Sequence, residues 1–201
     1  MSVIEILGIA GSVSLLSGWR LYLCIFVTGL AMRFGVWPLP EHLQALQVLA
    51  NPVVIGVAGV AALMEFLADK VMWLDSIWDV VHTVVRPLGG AMLALALVDP
   101  HDPATQVIAF ILGGGASLLT HAAKAGTRSI VNTVPEPFSN VAVSSGEDVA
   151  STGLLWLIYS YPTAAVFVAV ALAGGAVVVI IWLRRILHRL SRGPASGAVV
   201  D

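Results

Sequence analysis

The sequence predicts an all-α polytopic membrane protein of about six transmembrane helices in two inverted three-helix repeats. Three observations point there. The chain is 58% hydrophobic and only 11% charged, where a soluble domain carries about a quarter charged residues, and its mean hydropathy is +0.93. Apolar stretches near the length of a bilayer crossing succeed one another along it. Two similar charged strings also recur 95 residues apart.

The first stretch runs from Val3 to Phe34, with Gly8, Gly11 and Gly18 along it and Arg20 inside it. Glu5 sits where a signal peptide would carry basic residues, so no cleaved leader is expected. Cys24, the single cysteine, excludes an internal disulfide and reads as an apolar filler. Arg20 is expected to pair with a carboxylate or backbone carbonyls. The second stretch runs from Pro52 to Leu67.

The third is short. Leu88 to Val98 would span about 16 Å, roughly half a hydrocarbon core. The missing half must come from the polar segment Trp73 to Val85, which predicts a transmembrane helix broken at Arg86-Pro87. The fourth stretch, Pro103 to Ala123, carries Gly113 to Gly115. The fifth runs from Val149 to Pro162, and the sixth from Thr163 to Leu183.

Arg184, Arg185, Arg189 and Arg192 follow the last stretch. With six crossings, Lys70, Arg86, Lys124 and Arg128 fall on the same side, which predicts that both termini are cytoplasmic. Residues 191–201 read as a flexible tail.

The recurring strings are "RFGVWPLPE", Arg33 to Glu41, and "RSIVNTVPE", Arg128 to Glu136. Arg, Val, Pro and Glu coincide, and three crossings separate the copies. That predicts an inverted repeat, residues 1–99 against 100–190, a plan shared by transporters and some channels.

Asp75, Asp79, His82 and Arg86 are spaced to share one helix face, as are His121, Lys124, Arg128 and Asn132. Asp69 lies upstream, four residues after Glu65; Glu136, Glu147 and Asp148 follow the second stripe. Charges at membrane depth cost roughly 2.5 to 3.5 kcal/mol each on insertion scales, and persist when paired or lining a wet cavity. Opposite stripes are therefore expected to face each other, Asp75 or Asp79 against Lys124 or Arg128, lining a path for an ion or small solute. His82, His121 and Asp79 could bind a metal or relay protons, but no tight ligand motif is present, and neither metal nor cofactor is expected. No phosphate loop, nucleophile motif or basic nucleic-acid surface appears, so neither an enzyme nor a nucleic-acid partner is expected.

At these residues the chain resembles a known family. "LADKV..LDSIWDVVHTVVRPLGG" and "HAAKAGTRSIVNTVPEPFSN....SGED" are similar to the bacterial membrane proteins grouped as domain of unknown function 4126, over about Gly18 to Leu183. The matching positions here include Asp69, Lys70, Asp75, Asp79, Arg86, Pro87, Gly90, His121, Lys124, Arg128, Asn132, Pro135, Glu136, Pro137 and Asn140. The resemblance implies a bacterial inner-membrane location and carries no activity. "EFLADK", Glu65 to Lys70, also resembles the E–x–G–D–K signature of inverted-repeat cation exchangers, with Leu67 and Ala68 where that signature has one glycine.

The expected function is a small transporter or channel with a charged cavity between the third and fourth helices. The alternative is a structural or assembly protein whose ion pairs only fix helix packing. The bilayer and an ion or solute are the expected partners, and a homo-oligomer is compatible with both readings.

Overall fold

The computed structural model describes residues 3–36, 47–98, 101–131 and 137–191. They form six helices: α1 (Val3–Arg33), α2 (Pro52–Ala68), α3 (Met72–Leu95), α4 (Pro103–Val131), α5 (Pro137–Ser160) and α6 (Pro162–Ser191). Residues 1–2, 37–46, 99–100, 132–136 and the tail 192–201 lie outside the described residues.

The burial pattern inverts that of a soluble protein. Valines of α2 and α6 such as Val53, Val57, Val170 and Val178 are exposed, while Arg20, Arg86, Lys124, Arg128, Glu65 and Asp69 are buried. By length and composition α1, α4 and α6 are long and apolar enough to cross a membrane, and α2 is a shorter apolar helix. The apolar helices mark a membrane protein.

α1 is not one rod. Arg20 leaves helical geometry at φ −143° and ψ 71°, and the chain folds back there. Residues 3–19 run beside α6, with Gly8 against Val166 and Gly11 against Ala169. Tyr161 alone separates α5 from α6. These two helices are antiparallel: Ile158 shares a core with Ala165, and Glu147 shares a cavity with Gly175. Residues 21–33 follow α5 instead. Arg20 meets Ser144 and Glu147 near the start of α5, and the Thr28 and Tyr159 hydroxyls are bonded at 2.9 Å near its end. The second limb of α1 therefore runs opposite to the first.

The remaining contacts place every limb. α2 returns along the second limb, with Gly59 against Phe26 and Gly29 against Ile55. α3 and α4 are antiparallel, Ala94 packing on Gly113 and Thr83 meeting His121. α4 runs with the first limb: the Ser17 and Ser117 hydroxyls are 3.2 Å apart, and Lys124 Nζ donates to the Trp19 carbonyl at 3.3 Å. Successive limbs alternate in direction, seven in all among the described residues. Val3 and Ser191 consequently lie at opposite ends of the bundle. This corrects the expectation that both termini share one side. The sequence predicts a single crossing for this long first stretch, about 46 Å if straight.

The expected break in the third helix is also corrected. α3 is continuous from Met72 to Leu95, with Pro87 inside it. A proline is tolerated in a packed membrane helix, and α4 packs against this stretch, where Ser117 Oγ donates to the Arg86 carbonyl at 2.8 Å. Gly89 and Gly90 are contact points here and do not form a joint. A Cβ on Gly89 would strike Leu21, and one on Gly90 would strike Ser117 and Ser17. Close backbone approach accounts for both glycines.

Candidate ion-pair layer and its grooves

Two linked groups of charges lie where the first limb of α1 turns, α2 ends, α4 approaches its end and α5 begins. The first centres on Arg86. Its Nη2 donates to Glu65 Oε1 at 2.6 Å, and its Nη1 to Asp79 Oδ1 at 3.2 Å and His121 Nδ1 at 2.7 Å. A guanidinium only donates, so His121 Nδ1 must accept and the proton sits on Nε2. Nε2–H donates to Thr83 Oγ1 at 3.1 Å, and the Thr83 hydroxyl donates to the Asp79 carbonyl at 2.9 Å. The same logic orders His82: Nδ1–H donates to the Trp78 carbonyl at 2.7 Å, and Nε2 accepts from the Tyr22 hydroxyl at 3.1 Å. The imidazole stacks on Trp78 with centroids 4.5 Å apart.

The second group centres on Asp69, the residue that ends α2. Its carboxylate meets Arg20, Lys124 Nζ at 3.2 Å and Arg128 Nη2 at 3.6 Å. Glu147 meets the same three cations: Arg128 at 3.1 Å, Arg20 at 3.3 Å and Lys124 at 4.0 Å. Asp148 pairs with Arg20 at 3.0 Å and lies 3.7 Å from Lys70, whose ammonium sits over the Phe66 ring. Arg20 also donates to the Ser144 carbonyl at 3.1 Å. These bonds hold the turn of α1 in place: the guanidinium is tied to α2 and α5, and Gly18 lets the chain press against Ser117 and Thr120 of α4.

Burying an ion costs several kcal/mol, recovered only when partners and hydrogen bonds surround it. Here they do. Asp69, Asp79, Arg86, His121, Lys124, Arg128, Glu147 and Asp148 all join the two groups. Asp75 is buried in the first turn of α3, and His82 is buried beside Tyr22. Asn132 and Glu136 lie outside the described residues. Asp79 pairs with Arg86, while Lys124 and Arg128 pair with Asp69 and Glu147. Arg20 pairs with carboxylates, as its depth suggested. Glu65 is a full member that the sequence reading left out of its site; its spacing of four from Asp69 was the available signal.

Three grooves reach these charges. One of about 230 Å³ lies between α3 and α4 and is lined by Ser76, Asp79, Thr83, Arg128 and Ser129. A second, of about 340 Å³, is lined by Thr120, Lys124 and Thr127 of α4 and Glu147 of α5 among small and apolar residues of α1, α4 and α6. A third, of about 140 Å³, touches Arg20, Glu65 and Asp148. Charged and polar groups thus reach the wall of each groove. Among the described residues, no three His, Cys, Asp or Glu are grouped to hold a metal ion.

No curated protein and no solved structure matches the chain. A family model does, over residues 7–184, so the motif-bearing helices and nearly all of the bundle are covered. The chain belongs to the family described as "Domain of unknown function (DUF4126)".

Proposed function

We propose that the protein is a small transporter or channel of the bacterial inner membrane, passing an ion or small polar solute through the ion-pair layer. One observation carries this reading: a buried layer of paired charges in an apolar bundle is reached by three grooves, one of them between α3 and α4. Buried ionisable groups at membrane depth mark solute paths by default. The protein is not an enzyme in this reading. Its partners are the bilayer and the solute, and a homo-oligomer is compatible with it.

The layer end of the bundle faces the cytoplasm, since Lys70, Arg184, Arg185 and Arg189 gather there while Arg33 lies at the other. The N-terminal end then faces outward. An inverted repeat is supported by limb directions. Residues 21–33, α2 and α3 run opposite to α4, α5 and α6, one for one, which refines the two units 1–99 and 100–190 by setting residues 3–19 apart.

The dense internal pairing favours a second reading, in which the charges only lock helices together. Flux into proteoliposomes distinguishes them. Asp79→Asn and Arg128→Gln should abolish uptake of a responding ion or solute while the protein stays monodisperse and folded. Stability lost in both variants, with no flux from wild type across a panel of ions and small solutes, would favour the structural reading.

A further inference from the structure

Three buried polar atoms without a hydrogen-bond partner belong to residues that wall a single cavity. The cavity, about 140 Å³, lies between the second limb of α1, α2 and α5, walled by Arg20, Leu23, Glu65, Phe66, Asp148 and Thr152. The atoms are Glu65 Oε2, Asp148 Oδ2 and Arg20 Nε. Glu65 is 1% exposed. Its Oε1 is held by Arg86 at 2.6 Å, yet Oε2 has no donor. A buried carboxylate oxygen in that state calls for a ligand or an ordered water. The space is large enough for several water molecules.

We propose that this cavity binds a partly hydrated monovalent metal cation. Its oxygen set is hard: two carboxylate oxygens and the Thr152 hydroxyl, whose proton goes to the Asp148 carbonyl at 2.9 Å, leaving its lone pairs for a cation. The charge balance selects a single positive charge. Glu65 is already shared with Arg86, and Asp148 with Arg20 and Lys70, so little negative charge remains to offset a divalent ion. Calcium and magnesium also demand more anionic or better-ordered oxygen ligands. The Arg20 guanidinium in the wall is met by Asp69, Glu147 and Asp148, and the two carboxylates disfavour an anion. Lys70 is the natural competitor: its ammonium lies 3.7 Å from Asp148, beyond hydrogen-bond reach.

The site is separate from the α3/α4 groove, and binding is read without any flux. The thermal midpoint of the purified full chain in nanodiscs, in sodium, potassium or choline chloride at equal ionic strength, tests it. Sodium or potassium should raise the midpoint by a few degrees over choline. Glu65→Gln and Asp148→Asn should weaken the dependence on cation concentration at least about tenfold, because ligand charge sets affinity, and Lys70→Met should strengthen it. If Glu65→Gln does not fold, Asp148→Asn and Lys70→Met carry the test from the partly exposed side. Equal midpoints in all three salts would mean that water alone fills the cavity and would overturn the site, as would a shift unchanged in Asp148→Asn and Lys70→Met. Cation binding without flux supports the site and overturns the transport reading; flux without a cation-dependent midpoint does the reverse.

Discussion

Asp69 and Glu147 meet the same three cations, but Asp69 is fully buried and Glu147 is 15% exposed. Removing one partner of a buried pair strands the other and typically costs about 3 to 5 kcal/mol. Asp69→Asn should therefore lower stability by about that much, and Glu147→Gln by clearly less, as read by denaturant midpoints in detergent. Asp102 behaves differently because it is fully exposed. It caps α4, accepting from the Ala104 and Thr105 amides at 3.1 and 3.4 Å and from the Thr105 hydroxyl. These bonds, the Thr105 hydroxyl foremost, favour the charged form and hold its carboxyl below the usual Asp value. A lowered folded value means that the cap's contribution is fully present above the unfolded Asp value, about 4, and is lost as pH falls through the lower folded value. The stability gap between wild type and Asp102→Ala should thus narrow in acid and stay constant from mild acid upward. At this scale the sequence was informative about which residues mattered. The shared faces of α3 and α4 identified Asp79, Arg86, His121, Lys124 and Arg128, but helical spacing cannot choose partners across helices. The Asp69 hub needed the turn at Arg20 to exist first.

The α3/α4 crossing depends on small residues, and the glycines of "GGG" divide by what surrounds them. A Cβ on Gly113 would collide with Ala94 and the Gly90 carbonyl, whereas one on Gly115 would meet nothing within 4 Å. Gly113→Ala should cost about 1 to 3 kcal/mol through overpacking. Gly115→Ala should be neutral or stabilise by up to about 1 kcal/mol, since alanine is the better helix former. Thermal midpoints of the two variants side by side check the difference, and equal losses would contradict the crossing. The sequence predicted a break at Arg86-Pro87, because proline usually interrupts helices. Packing overrode that preference in α3. The true interruption fell at Arg20, where neither proline nor glycine occupies the turning residue and only its buried partners compel the geometry.

Seven alternating limbs put Glu5 and Arg33 at one end of the bundle and Arg189 at the other. Single cysteines at these positions, probed in sealed vesicles with a membrane-impermeant thiol reagent, should give opposite labelling for Arg189→Cys against Glu5→Cys and Arg33→Cys. Native Cys24 is buried and should stay silent. Labelling of Glu5→Cys and Arg189→Cys from the same side would contradict the fold-back. Composition and apolar stretches alone established a helical membrane protein, the starts of five of the six described helices and the two charged stripes, because these properties are local: chain length, hydropathy and a period of 3.6 residues act within a segment. Direction, pairing and cavity shape were decided only by tertiary structure. Arg20 cannot enter an apolar bundle unpaired, and its partners come from α2 and α5, 49 or more residues away. Their assembly turns one apparent helix into two antiparallel limbs.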